Sequence, residues 1–238
     1  MNLILLFKND FTGSTKVKLE GRRFNYIKKV HRACAGDVLS VGLINEQMGK
    51  GRITKITSEF AEMEVCLDTP PPARLPLVLV LALPRPKVVR RILQAVTCLG
   101  IKDIYLINAW RVEKSFWSSP VLNRENLEKE LITGLEQAKD TVLPDIFLKP
   151  LFKPFVVEEL PIIAENSLAL TAHPKTSVPC PENIKTPITL AIGPEGGFID
   201  IEIKTLEQAG FKTITLGKRI LRTETAVPVL ISRLTSLT

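Results

Sequence analysis

Two glycine-bearing segments hold the residue types with the most chemistry in them. They are Ile192-Gly193-Pro194-Glu195-Gly196-Gly197-Phe198 and Leu216-Gly217-Lys218-Arg219-Ile220-Leu221-Arg222-Thr223-Glu224-Thr225-Ala226. Glycines such as Gly196 and Gly197 accept φ > 0 and lack a Cβ, so a ligand can lie directly on main-chain N–H and C=O groups. Pro194 stiffens the first segment. No Lys-Ser/Thr pair follows and no G-x-G-x-x-G occurs, so neither phosphate-cradling fingerprint is present. A tight strand-to-helix turn without a ligand is the other reading of one such loop.

The elements that must position these loops are short apolar runs. Residues 188–192 precede the first and Thr213-Ile214-Thr215-Leu216 the second. Runs of this kind closed by glycine read as buried strands of a parallel sheet, and open α/β sheets place ligands at the carboxyl ends of their strands. Residues 77–83 form another continuous apolar run, broken by Pro84-Arg85-Pro86. Val89, Ile92, Leu93 and Val96 follow at helical spacing up to Gly100, and residues 103–108 read as the next strand. Strand, helix and strand make a βαβ unit, which calls for a parallel sheet. Helices are expected over 123–139, from Leu127, Leu131 and Leu135, and over 200–209, with a strand at 168–172 between them. A last amphipathic helix is expected over 227–237, with Pro228 in its first turn.

Residues 1–70 read instead as short strands separated by turns, a small β-barrel. Residues 52–56 and 61–67 alternate, Gly36-Asp37 feeds the 38–41 strand, and the apolar start fits a first strand better than a signal peptide. Residues 68–74, with three consecutive prolines, form the linker, so domains are expected at 1–70 and 71–238. Arg22, Arg23, Lys28, Lys29 and Arg32, with Phe24 and Tyr26 among them, suit RNA phosphates and bases; a solvated face over core aromatics is the alternative. The net charge of +7 favours a polyanionic partner. Cys34, Cys66, Cys98 and Cys180 show no metal spacing with His31 and His173, so no metal is expected and the thiols fit a reducing cytoplasm. No apolar run reaches the length of a membrane span.

The pair IGPEGGF and LGKRILRTETA resembles the two signature loops of the RsmE-type ribosomal RNA methyltransferases of the SPOUT superfamily. Val30-His31-Arg32, Gly36-Asp37, Lys87, Leu99-Gly100 and Glu136-Gln137 resemble further family signatures. Asn25, His31, Cys98 and Asp140 stand where that family usually has histidine, leucine, glutamate and arginine. The resemblance implies a C-terminal α/β trefoil knot with a parallel sheet, preceded by a PUA-like RNA-binding barrel. It implies S-adenosylmethionine as cofactor and methylation of N3 of a uridine in 16S ribosomal RNA, free or in the small subunit. A homodimer paired through the last helix is also implied.

On the same grounds, Leu170, Thr171, Ile192, Gly193, Gly197, Leu216, Gly217, Ile220, Leu221, Thr225 and Ala226 are expected to hold the cofactor. Arg222 is the candidate for steadying a uracil anion or a phosphate and Glu224 for a base or an orienting carboxylate, with Arg219 next; a structural ion pair is the competing role. Arg22, Arg23, Lys28, Lys29, Arg32 and Lys87 are the candidate RNA contacts. The departures at Asn25, Cys98 and Asp140 motivate an alternative: an RNA-binding protein of the same fold with an altered target or no catalysis. An α/β enzyme using a nucleotide is a third reading, disfavoured by the missing phosphate fingerprint.

Overall fold

In the computed structural model, which describes residues 2–236, the alternating runs near the start of the chain form five strands. They are β1 (Ile4–Leu6), β2 (Lys16–Leu19), β3 (Val38–Leu43), β4 (Met48–Ile56) and β5 (Ala61–Thr69). Their order is β1-β3-β4-β5-β2, antiparallel except between β1 and β3. Ile53, Ala61, Met63 and Val65 face one side of the sheet and join Ile4, Leu6, Val17, Leu19 and Val41 in a buried core. Register shifts at Met48/Gly49 and Ile53/Lys55 act as bulges, which bend and twist strands, so the sheet curls.

One stretch corrects the expectation of strands throughout. Gly21–Tyr26 is an α-helix, continued by a π-helical turn over Ile27–His31 and ended by Arg32 at φ 52°. Phe24 and Ile27 bury on its inner side. The same compact unit, which runs to Ala73, takes in Ile132–Leu143 from far along the chain. Leu135 packs with Leu3 and Leu5, and the Glu136 carbonyl accepts the Asn2 and Leu3 N–H groups at 2.8 and 3.0 Å.

The second unit, Arg74–Leu131 with the chain from Pro144 onward, is built on β6 (Leu77–Ala82), β7 (Asp103–Ile107), β8 (Asp145–Lys149), β9 (Leu168–Ala172), β10 (Ile188–Ile192) and β11 (Lys212–Ile214). All pairings are parallel, in the order β11-β9-β10-β6-β7-β8. The continuous apolar runs of β6 and β10 sit side by side in the middle, where both faces need covering. β8 has charged ends and a largely exposed edge position, so its sequence gives no such run. β11 stops at Ile214, short of the expected Leu216; Thr215 bridges to Pro179 instead.

Val89, Ile92, Leu93 and Val96 bury along the Pro86–Cys98 helix as their spacing requires. Helices at Arg124–Ala138 and Asp200–Gln208 also match expectation, Gly210 following the latter at φ 92°. The last helix differs. It spans Thr223–Leu234, so Pro228 lies in its second turn rather than its first. Pro228 has no N–H to give the Glu224 carbonyl four residues earlier. Val227, Leu230, Ile231 and Leu234 are buried, and this helix packs on Pro86–Cys98. Leu237, expected on the same stripe, lies outside the described residues. Among the described residues no helix is long and apolar enough to cross a membrane.

Candidate active site

Parallel pairing sends the carboxyl ends of β9, β10 and β11 to one edge of the sheet, and the loops leaving them enclose a cavity of about 460 Å³. Small-molecule sites fall in the range of roughly 300–1,000 Å³. Residues 172–175, 192–197 and 214–221 line it, with Thr223, Ala226 and Leu230 of the last helix. Much of this wall is bare backbone. A Cβ on Gly193 would stand 2.8 Å from the Phe198 nitrogen, so any side chain there forces the turn apart. Gly197 sits at φ 72° and donates its N–H to the Pro194 carbonyl at 2.8 Å. Only glycine meets both demands cheaply.

The turn is braced from outside. Glu195 Oε1 accepts the Arg85 N–H at 3.0 Å, and the Arg111 guanidinium donates to the Gly196 carbonyl. Glu202, buried, accepts the Ile199 N–H at 2.9 Å on one oxygen and the Trp110 N–H at 2.6 Å on the other. It thereby caps the helix after the glycine turn and ties it to the loop after β7. His173 lines the cavity with its Nδ1 buried and without a partner. Burial, then Lys175 and Arg111, hold its imidazole below the ordinary value, against the opposing pull of Asp200 and Glu207.

Of the residues expected to hold a cofactor, Ile192, Gly193, Gly197, Leu216, Gly217, Ile220, Leu221 and Ala226 line the cavity. Leu170, Thr171 and Thr225 are not part of its wall. Thr171 is buried with a hydroxyl that lacks a partner. Ile220 is 84% exposed, so it forms a rim rather than an inner slot. Arg222 and Glu224 also fall outside the wall, whereas Arg219 belongs to it. Arg222 is the exposed N-cap of the last helix, its carbonyl accepting the Thr225 and Ala226 N–H groups at 2.9 and 2.8 Å. Glu224 is half-buried in the first turn, where the helix dipole favours an anion. Neither makes an ion pair among the described residues. Sequence reasoning missed His173, Lys175 and the brace from Arg111; a histidine-proline pair directly after a strand was the available signal for the first.

The expected RNA contacts divide sharply. Arg23 forks onto Asp10, at 2.6 Å to Oδ1, and donates to the Leu5 carbonyl at 2.8 Å; its side chain is 16% exposed. Arg22 forks onto the buried Glu136 with two 2.8 Å bonds, which raise the guanidinium's pKa further. Lys28 lies over the buried Phe24 ring, 5.4 Å from its centroid. Lys29, Arg32 and, in the other unit, Lys87 are exposed. The family signature residue Glu136 thus has a structural job, and so has Asp140, buried and accepting the Val142 N–H at 2.9 Å. Among the described residues no cluster of side chains is arranged to hold a metal ion.

Fold and cavity together define an α/β protein with a backbone-walled cavity of small-molecule size at the carboxyl edge of a parallel sheet. The family described as RNA methyltransferase domain matches residues 71–235, and the chain belongs to it. Ribosomal RNA small subunit methyltransferase E of Treponema pallidum is 31% identical over 95% of this chain and 87% of its own length. Ribosomal RNA small subunit methyltransferase E 1 of Borreliella burgdorferi is 26% identical over 95% and 94%. Among solved structures, a ribosomal RNA small subunit methyltransferase E from Neisseria gonorrhoeae bound to S-adenosyl methionine has the same fold (TM-score 0.73, 21% identity, 98% of this chain and 95% of that one). So has a putative methyltransferase from Legionella pneumophila in complex with the bound cofactor SAM (TM-score 0.74, 22% identity, 97% and 95%).

Proposed function

We propose that this protein methylates N3 of a uridine in 16S ribosomal RNA of the small subunit, using S-adenosylmethionine. One observation carries the reading: the two glycine-bearing loops that resemble the family signatures line one cavity. The cavity's fittings suit a nucleoside cofactor. Gly193 and Gly197 leave a cradle that a Cβ would fill or strain, and the Thr171 hydroxyl and His173 Nδ1 are buried without partners near the end of β9.

The cofactor supplies an electrophilic methyl group on a sulfonium. Backbone groups of Leu216, Ile220 and Leu221 hold the adenine edge, and Gly193 and Gly197 admit the rest against the main chain. Uridine N3 carries a proton at neutral pH, so that proton must leave for nitrogen to become a nucleophile. The Glu224 carboxylate, which follows the wall residue Thr223, takes it, and Arg222, with Arg219 of the wall three residues earlier, steadies the charge left on the uracil. Holding the base in line supplies a large further part of the rate.

The finer architecture belongs to the same proposal. The strand order slots β10 between β9 and β6, which supports a chain threaded as a SPOUT trefoil knot. The curled sheet acts as a PUA-like RNA-binding domain, the first of two at 1–70 and 71–238, with Ile132–Leu143 joining the first from the second. The active form is a cytoplasmic homodimer paired through the last helix; with Val227, Leu230, Ile231 and Leu234 buried inside the chain, residues such as Val229, 41% exposed, form the contact.

The test is methyl transfer from labelled S-adenosylmethionine to unmethylated small subunits, with naked 16S ribosomal RNA in parallel. N3 lies on the pairing edge of uracil, so methylation there appears as a block to reverse transcription. Label in RNA with one such block is expected. Cofactor and RNA binding without transfer would favour the RNA-binding alternative, for which the structural use of Asp140 speaks.

A further inference from the structure

The loop after β7 holds an indole ring out into solvent on a rigid support. Trp110 is 78% exposed. Its backbone, however, is fixed: the N–H donates to buried Glu202 at 2.6 Å, and the Val112 N–H closes a turn onto the Ala109 carbonyl at 3.0 Å. The next residue, Arg111, lies along the glycine turn. Its guanidinium donates to the Gly196 carbonyl, and its Cδ is so close that a Cβ on Gly196 would stand 2.8 Å away. Gly196 is itself part of the cavity wall. The chain's other tryptophan behaves differently: half-buried Trp117 donates its indole N–H to Asn108 at 3.0 Å.

An indole so exposed, on a backbone so fixed, suits a planar ligand. The charges nearby narrow the choice. Arg111 follows Trp110 directly, and the cavity wall carries Lys175, Lys218 and Arg219 against a single carboxylate, Glu195. A flat aromatic beside a cationic track is how single-stranded nucleic acid is held without sequence preference. We propose that Trp110 stacks on a base of the RNA strand next to the nucleotide presented to the cavity, and so positions the substrate. This rests on the methyltransferase reading above. It adds a substrate-binding residue from a loop outside both signature segments.

The experiment uses the full-length protein carrying Trp117→Phe, which leaves Trp110 as the sole tryptophan. Fluorescence is followed during titration with a short single-stranded uridine-containing RNA, with S-adenosylmethionine present. Quenching is expected on RNA binding. In the otherwise natural chain, Trp110→Ala should weaken RNA binding and raise KM about tenfold, the usual loss for one stacked base. The Kd for S-adenosylmethionine, measured by calorimetry, should stay unchanged, and Trp110→Phe should restore most of the RNA affinity. Unchanged fluorescence, or unchanged RNA affinity and KM in Trp110→Ala, overturns the stacking role. A fall in oligomer size on sedimentation, with RNA affinity intact, overturns it too and makes the ring a contact between copies of the chain. If the natural protein itself fails to transfer methyl groups, the functional reading fails, and quenching by RNA then decides the stacking separately.

Discussion

Two regions of this chain carry clusters of positive charge, one on the Gly21–His31 helical segment and one on the loop after β11. In the first, both arginines of the helix are spent inside its own unit, while Lys28 and Lys29 stay exposed. Arg23 is held by Asp10 and Arg22 by Glu136, each through paired bonds. The second is left open: Lys218, Arg219 and Arg222 make no ion pair among the described residues. Burying a guanidinium demands a carboxylate partner, so cations whose stems help close a core are consumed in closing it. Cations on a loop that backbone geometry already holds in place stay available. Lysines and arginines are therefore free to meet a substrate directly only where the fold leaves them unsatisfied.

The comparison can be broken by mutation. The largest effect is expected from Arg23→Ala, which strips the partner from a carboxylate whose side chain is only 11% exposed. A loss of about 3 kcal/mol is expected, seen as a fall in Tm of about 10 °C for a chain of this size, with little change in RNA affinity. A stable variant that has lost RNA binding would reverse the assignment. Arg222→Ala should do the opposite. Its kcat should fall about 100-fold, the scale of one group that steadies developing charge, while Tm and the Kd for S-adenosylmethionine hold. Equal turnover would remove Arg222 from its role and pass it to Arg219. Lys29→Ala, at an exposed cation, should weaken RNA binding only a few-fold and lower the salt slope by about one.

The smallest effect concerns His173. Its folded pKa lies below the ordinary value of about 6.5, so on acidification the unfolded chain takes up the proton first. Stability therefore rises with pH through this window and is lost as pH falls from about 6.5 towards the folded value. His173→Gln should flatten that part of the Tm-against-pH curve. A curve unchanged by the substitution would place the titrating group elsewhere.

What could be read from residues alone follows from how local the signal is. β6 shows as an unbroken apolar run and β10 as an apolar run broken only by Thr189, because a parallel sheet buries both in its middle. The Pro86–Cys98 helix shows through its periodicity and its glycine stop. The glycine loops announced themselves because their backbone demands glycine at fixed positions. β8 gave no sign, since an edge strand needs few apolar residues. The sequence places the start of the last helix too late because Pro228 reads as a first-turn residue, and only burial of Thr223 and Val227 reveals the earlier start. Long-range partnerships were invisible. Nothing near Arg22 points to Glu136, 114 residues away, nor does any local pattern send Ile132–Leu143 to the first unit. The helical form of Gly21–His31 is hidden in the sequence because its buried apolar residues, Phe24 and Ile27, are too few to set a period.

The central claim is that bare backbone at Gly193 and its neighbours holds the methyl donor. It is tested most directly by calorimetric titration of the natural protein and of Gly193→Ala with S-adenosylmethionine, with Tm recorded for both. Saturable binding to the natural protein, and affinity at least tenfold weaker in a folded Gly193→Ala, is the expected result. No binding at millimolar ligand in the natural protein, or equal affinity in the variant, would contradict it.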